Sequence, residues 1–221
     1  MTYKESRLDF DRQHRIGMVE AIWGENKSLE QISEILFQFK SSGKFALVTR
    51  INSEKAEKLL RLFEETKFYP EASCLTLGKP LQLDETKGKV VVISGGTSDL
   101  PVAKEAEISL RWHGIQTELL LDIGIAGLHR LLDNLDQIKS AKVVIACAGM
   151  EGSLPTVVAG LVSLPVIGVP VSVGYGISSG GKAAMMSMLS SCAPGLVVMN
   201  IDNGYGAAMA ALRIINATGN F

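Results

Sequence analysis

The chain has few cysteines, and their placement excludes two common uses. Cys74, Cys147 and Cys192 are odd in number and form no CxxC pair. That argues against a disulfide framework and against a structural zinc site. A reducing compartment, the cytoplasm, is the expectation. Neither sign of charge dominates: 22 Lys and Arg balance 23 Asp and Glu, for a formal net charge of -1. No basic field is available to draw in nucleic acid or an anionic membrane surface. An anionic ligand must therefore be held by local geometry. The opening MTYKESRLDFDRQHR lacks an apolar core segment, so no signal peptide is expected. The GxGxxG fingerprint is also missing, which counts against hydride transfer with a bound dinucleotide.

A long charge-free run from Gly152 to Gly181 looks membranous at first. Pro155, Pro165 and Pro170, with Gly160, Gly168, Gly174 and Gly176, break it into short pieces. A spanning helix needs about 20 apolar residues in a row. The run is read as a buried helix, a buried strand and a glycine loop, with no membrane partner.

What is present suits a folded α/β protein. Hydrophobic residues make up 47% of the 221 positions and charged ones 20%, which supports a full core. That length fits one large domain, or an ordinary domain plus a small one. Residues 1–80 read as a small α/β unit. LEQISEILFQFKSS (29–42) places Leu29, Ile32, Ile35, Leu36 and Phe39 at helical spacing behind Ser28 as cap. FALVTRI (45–51) reads as a strand and SEKAEKLLRLFEE (53–65) as a helix capped by Ser53. Residues 70–88 read as a crossing between units with a short strand inside.

From Lys89 to Phe221 the pattern becomes regular. KVVVISGG, IQTELLLDIG, AKVVIACAG, PVIGVPV and LVVMNID read as strands. The helical segments between and after them are DLPVAKEAEISLRWHG, AGLHRLLDNLDQI, SLPTVVAGLVSL with Ser153 as cap, GGKAAMMSMLSS and GAAMAALRIIN. Uninterrupted apolar strands imply a parallel sheet covered on both faces. The expected fold is a three-layer, doubly wound parallel sheet. Such a sheet binds ligands beyond the carboxyl ends of its strands. Five loops are thereby selected: SGGTSD (94–99), DIGIAGLHR (122–130), CAGMEGS (147–153), VSVGYGISSGGK (171–182) and IDNGYG (201–206).

Each loop carries a chemical reading and a plainer one. In Ser94-Gly95-Gly96-Thr97-Ser98-Asp99, the glycines allow close backbone approach. The amides and hydroxyls suit a phosphate. Alternatively, it is a tight turn with Ser98 or Asp99 capping a helix. Glu151, in Gly149-Met150-Glu151-Gly152-Ser153, is a second strand-end carboxylate or a helix-dipole partner. Together, Asp99 and Glu151 make an acid/base pair credible. His129 and Arg130 suit proton transfer and anion binding, or an exposed helical face. Cys147 lies within an apolar strand and reads as core. Cys74 has no partner chemistry nearby. Cys192, in SSCAPG, lies in a turn at the amino end of the following strand, the wrong end of its own sheet for a ligand.

Several motifs together resemble the LarB family. They are VVVISGGTSDLPVA, DIGIAGLHRLLDNL, VVIACAGMEGSLPTVVAGLVSLPVIGVPVSVGYG, SSCAPGLVVMNIDNGYGAA and, at the front, LDFDRQHRIGMVEAIWGENKSLEQI. The resemblance covers nearly the whole chain. The second unit is also similar, more distantly, to the PurE-type aminoimidazole ribonucleotide carboxylases and mutases, a flavodoxin-like group. The shared marks are the strand–Ser-Asp–helix start, His129-Arg130, and Leu-Pro followed by PVIGVPV.

The LarB resemblance implies carboxylation of the pyridinium ring of nicotinic acid adenine dinucleotide and cleavage of its phosphoanhydride. The products would be pyridinium-3,5-biscarboxylic acid mononucleotide and AMP, the first step toward a nickel-pincer cofactor. It implies CO2 or bicarbonate as co-substrate, Mg2+, and a homo-octamer. It places an adduct-forming cysteine on Cys192, acid/base carboxylates on Glu151 and Asp99, and ligand contacts on Ser98, His129 and the two glycine loops. Asp99, Asp202 and Glu151 are the candidates for metal ligands. Where the purine enzymes have a histidine before Leu-Pro, this chain has Ser153, and they lack the SSCAPG cysteine. The alternatives are a purine-type mutase or carboxylase and a non-catalytic nucleotide-binding module.

Overall fold

A computed structural model describes residues 8–218. The expectation of no signal peptide falls partly on residues 1–7, outside the described residues. The chain divides into two compact units, Met1–Gln82 and Leu83–Phe221.

In the first unit, helix α1 spans Arg12–Ile16 and is followed by strand β1 (Ala21–Trp23), helix α2 (Leu29–Ser41) and strand β2 (Ala46–Thr49). Helix α3 (Ser53–Leu62), strand β3 (Thr66–Tyr69) and strand β4 (Cys74–Leu77) complete it. The sheet order is β1-β2-β4-β3; β1 and β2 are parallel, and the other two pairings are antiparallel. Ser28 caps α2 as expected, in a reciprocal capping box with Gln31. The cap of α3 is Asn52 rather than Ser53. Asn52 holds extended backbone angles, and its side chain accepts from the Lys55 amide at 2.9 Å. The strand expected inside 70–88 is β4, which pairs on both sides within this first sheet. β1 and β3 have no counterpart in the sequence reading, being three and four residues long and without marked alternation.

The second unit carries a five-stranded parallel sheet, ordered β6-β5-β7-β8-β9. The strands are β5 (Lys89–Ser94), β6 (Gln116–Leu120), β7 (Val143–Ala148), β8 (Val166–Pro170) and β9 (Val197–Val198). Helices α4 (Leu100–Trp112), α5 (Leu128–Asp133), α6 (Leu135–Lys139), α7 (Leu154–Leu161), α8 (Lys182–Leu189) and α9 (Gly204–Thr218) connect and close it. In units of this domain the strand order is 2-1-3-4-5, the flavodoxin-like arrangement. Side chains alternate across the pleat. Val91, Ile93, Val144 and Ala146 are fully buried in one cluster with Leu131 of α5, Ile138 of α6, Val158 of α7 and Met188 of α8. Their neighbours Val90, Val92, Val143 and Ile145 are equally buried and face the side of α4 and α9, which pack together. Both faces are therefore covered, and the strands read as apolar runs.

Three elements differ from the sequence reading. AGLHRLLDNLDQI is two short helices, because the Asn134 amide donates to the Arg130 carbonyl at 2.8 Å and ends α5 there. LVVMNID pairs over only two residues, as the outer strand beside β8. Ser153 precedes α7 but makes no side-chain cap bond. Among the described residues, no helix is long and apolar enough to cross a membrane.

Candidate active site

The loops after β5 and β7 meet at the switch point, where successive connections leave the sheet in opposite directions. Between them lies a pocket of about 460 Å³. Its walls come from the loops after β5, β6, β7 and β8. Close packing of these loops requires glycine at two places. A Cβ on Gly124 would stand 2.4 Å from the Gly95 carbonyl oxygen, and one on Gly149 would stand 2.3 Å from that of Val173. Met150 holds a left-handed φ of 54°, and its amide donates to the Val173 carbonyl at 3.0 Å. The turn after β7 is thus pinned to the loop after β8.

Asp99 fastens the pocket together. It lies at the start of α4, yet its carboxylate turns back toward the sheet. One oxygen accepts the Gly96 amide at 2.8 Å; the other accepts the Gly149 amide, fifty positions along the chain, at 3.0 Å. The side chain is buried and still lines the pocket. Burial pushes its pKa above the ordinary aspartate range. The amides of Gly96, Gly149 and Gly95 act in the opposite direction, and the charge of Asp202 adds to the rise. A carboxyl that keeps its proton to higher pH is suited to proton transfer. Glu151 is exposed at the same pocket, so two carboxyl groups in unlike surroundings face one space.

Of the residues selected from sequence, Gly95, Gly96, Ser98, Asp99, Gly149, Met150, Glu151 and Ser153 line the pocket. Six do not. Ser94 is fully buried, and its hydroxyl accepts the Asp122 amide. Thr97 is exposed on the turn before α4. Gly152, at φ 66°, packs against the backbone of Ala184, 2.8 Å from where its Cβ would be. His129 is exposed on α5, and Arg130 pairs with Asp122 at 2.7 Å. Cys192 is exposed in the turn between α8 and β9. That turn is nevertheless tied to the pocket side: the Thr156 hydroxyl, in the first turn of α7, donates to the Ser191 hydroxyl at 2.9 Å. Ser153 and Leu154, at the start of the same helix, line the pocket. Strand polarity sets Cys192 at the amino end of β9, while the first turn of α7, which begins at the pocket, meets the turn that bears it.

Sequence reasoning did not single out Gly124, Ile125 and Ala126, or Val173, Gly174 and Tyr175, as site residues, although it selected both loops. All six line the pocket. Their signal was only their position after β6 and β8. The proposed metal ligands do not assemble. Both Asp99 oxygens hold amides, and Asp202 accepts the Ser172 amide at 2.8 Å. Among the described residues, no group of three His, Cys, Asp or Glu could hold a metal ion. The donor set of the described residues does not fit a protein-held Mg2+.

A pocket over the switch point of a flavodoxin-like parallel sheet, fastened by a buried aspartate, defines a doubly wound α/β domain with an open pocket at its strand ends. Residues 89–220 match the AIR carboxylase family, and residues 2–79 match the LarB/PurE-like N-terminal domain. The chain belongs to the AIR carboxylase family and carries a LarB/PurE-like N-terminal domain. It is 38% identical to an uncharacterized protein of Methanocaldococcus jannaschii, over 93% of this chain and 82% of that one. It is 35% identical to the N5-carboxyaminoimidazole ribonucleotide mutase of the same organism, over 57% of this chain and 78% of that one. The crystal structure of Treponema denticola PurE aligns at a TM-score of 0.49 and 20% identity, covering 58% of this chain and 80% of that one.

Proposed function

We propose that the protein carboxylates the pyridinium ring of nicotinic acid adenine dinucleotide and hydrolyses its phosphoanhydride. The products are pyridinium-3,5-biscarboxylic acid mononucleotide and AMP. One observation carries this reading beyond the family chemistry: an exposed cysteine, Cys192, sits in a turn hydrogen-bonded to the helix that opens at the pocket. The reaction needs such a group. A pyridinium carbon and CO2 are both electrophiles and do not combine directly. Addition of the Cys192 thiolate to the ring forms a C–S bond and a neutral, enamine-like dihydropyridine. A ring carbon of that species attacks CO2, forming the new C–C bond. A base, Asp99 or Glu151, takes the proton from that carbon; the C–S bond then breaks, the thiolate leaves and the ring regains aromaticity. Water adds across the phosphoanhydride and releases AMP. The reading includes a homo-octamer, the assembly that the family resemblance implies, in which a neighbouring copy can bring further groups to the pocket.

Incubation with nicotinic acid adenine dinucleotide, bicarbonate and Mg2+, followed by mass spectrometry, tests it. AMP and a doubly carboxylated mononucleotide are expected, and Cys192→Ser should abolish them without lowering the melting temperature. Folded wild-type protein that yields neither product would sink the reading. The mutase resemblance supports a second reading, action on an aminoimidazole ribonucleotide, which predicts indifference to Cys192→Ser.

A further inference from the structure

The pocket has an unusual balance of charge for an enzyme expected to take a nucleotide. Among the described residues, no Lys, Arg or His lines it, while Asp99 and Glu151 do. Arg130, on the loop after β6, is already paired with Asp122. Among the described residues, the single aromatic side chain lining the pocket is Tyr175. The residue is 78% exposed, and its side chain makes no hydrogen bond, ring contact or cation–π contact among the described residues. The backbone beneath it is, by contrast, held. The Tyr175 carbonyl accepts the Ser178 amide at 3.1 Å. Gly174 allows the Ser178 carbonyl to approach where a Cβ would meet it at 2.6 Å, and Gly176 turns the chain at φ 58°. A free aromatic face on a fixed turn, at the edge of an acidic pocket, is complementary to a flat cation. Such a cation gains from the ring quadrupole and from the two carboxyl groups together.

Resting on the reading that the substrate carries a pyridinium ring, we propose that Tyr175 is the specificity residue for that ring, stacking on its cationic face over the carboxylate pair. The geometry favours the charged ring over a neutral ring of the same shape.

Two small probes test this without turnover: N-methylpyridinium-3-carboxylate and its neutral-ring counterpart 3-methylbenzoate, titrated calorimetrically into the full chain without bicarbonate. The wild type should prefer the pyridinium by about tenfold or more. Tyr175→Leu, which keeps apolar bulk and removes the π face, should weaken pyridinium binding by roughly 3- to 30-fold. It should leave 3-methylbenzoate binding unchanged, while Tyr175→Phe should retain the preference. Equal binding of both probes by the wild type would overturn the proposal. So would unchanged pyridinium affinity in Tyr175→Leu, or equal weakening of both probes. A change in sedimentation on Tyr175→Leu would assign the side chain to contacts between copies and overturn it too. Failure of the proposed reaction is read separately, as absence of AMP from wild-type protein that still discriminates the two probes.

Discussion

Gly149→Ala should loosen the pocket by a predictable amount. Its new Cβ would lie 2.3 Å from the Val173 carbonyl oxygen and 3.3 Å from an Asp99 carboxylate oxygen. Non-bonded heavy atoms pack best at about 3.5 Å, so the first contact is short by about 1.2 Å. Backbone must move to relieve it. The movement pulls the Val173 carbonyl from the Met150 amide and the Gly149 amide from Asp99, bonds of 3.0 Å each. Two weakened bonds, one to a carboxylate, put the destabilisation at about 2–4 kcal/mol. Gly160 provides a control of opposite sign. It lies in α7, and its Cβ would meet nothing within 4 Å. Gly160→Ala should therefore stabilise by up to about 1 kcal/mol through helix propensity. Urea unfolding followed by tryptophan fluorescence measures both. The chain has two tryptophans, and Trp23→Phe as background leaves Trp112 to report on the second unit. An unchanged midpoint for Gly149→Ala would refute the packing argument, as would an equal drop for Gly160→Ala.

Other outcomes follow from the same contacts. Thr156→Val removes the hydrogen bond to Ser191 while keeping the side-chain shape. It should cut turnover several-fold with the unfolding midpoint within about 1 kcal/mol of wild type, read by product formation and urea titration. Asp99 titrates above its unfolded value of 3.8, so the folded state holds this proton longer than the unfolded one. Its contribution to stability is then full below pH 3.8 and is lost as pH rises through the folded pKa. Asp99→Asn should remove that decline, so the stability difference, variant minus wild type, grows across this window. Parallel pH profiles of the two midpoints would contradict the burial argument.

Much of the second unit was legible because its strands are buried on both faces. KVVVIS and VVIACA could hardly be anything else once bounded by glycine loops and helical segments, and the loops that form the pocket followed from strand polarity. Elements that depend on partners far along the chain were not legible. β3 and β1 exist because β4 and β2 supply their hydrogen bonds, and the split of α5 from α6 turns on one asparagine amide. Within the site, Asp99 and Glu151 were visible as strand-end carboxylates. Tyr175 was not, since one aromatic in a glycine-rich loop has no periodicity to mark it.

By itself, the sequence determined the class of fold, the covered parallel sheet and the loops available for chemistry, because apolar period, glycine and proline act locally. Tertiary structure alone decided which loops touch. The Asp99 carboxylate grips an amide fifty residues away because β5 and β7 are neighbours in the sheet while β6 lies on the other side. The same folding brings the turn bearing Cys192 against the first turn of α7. Such contacts are set by strand order and helix packing, which local residue preferences do not encode.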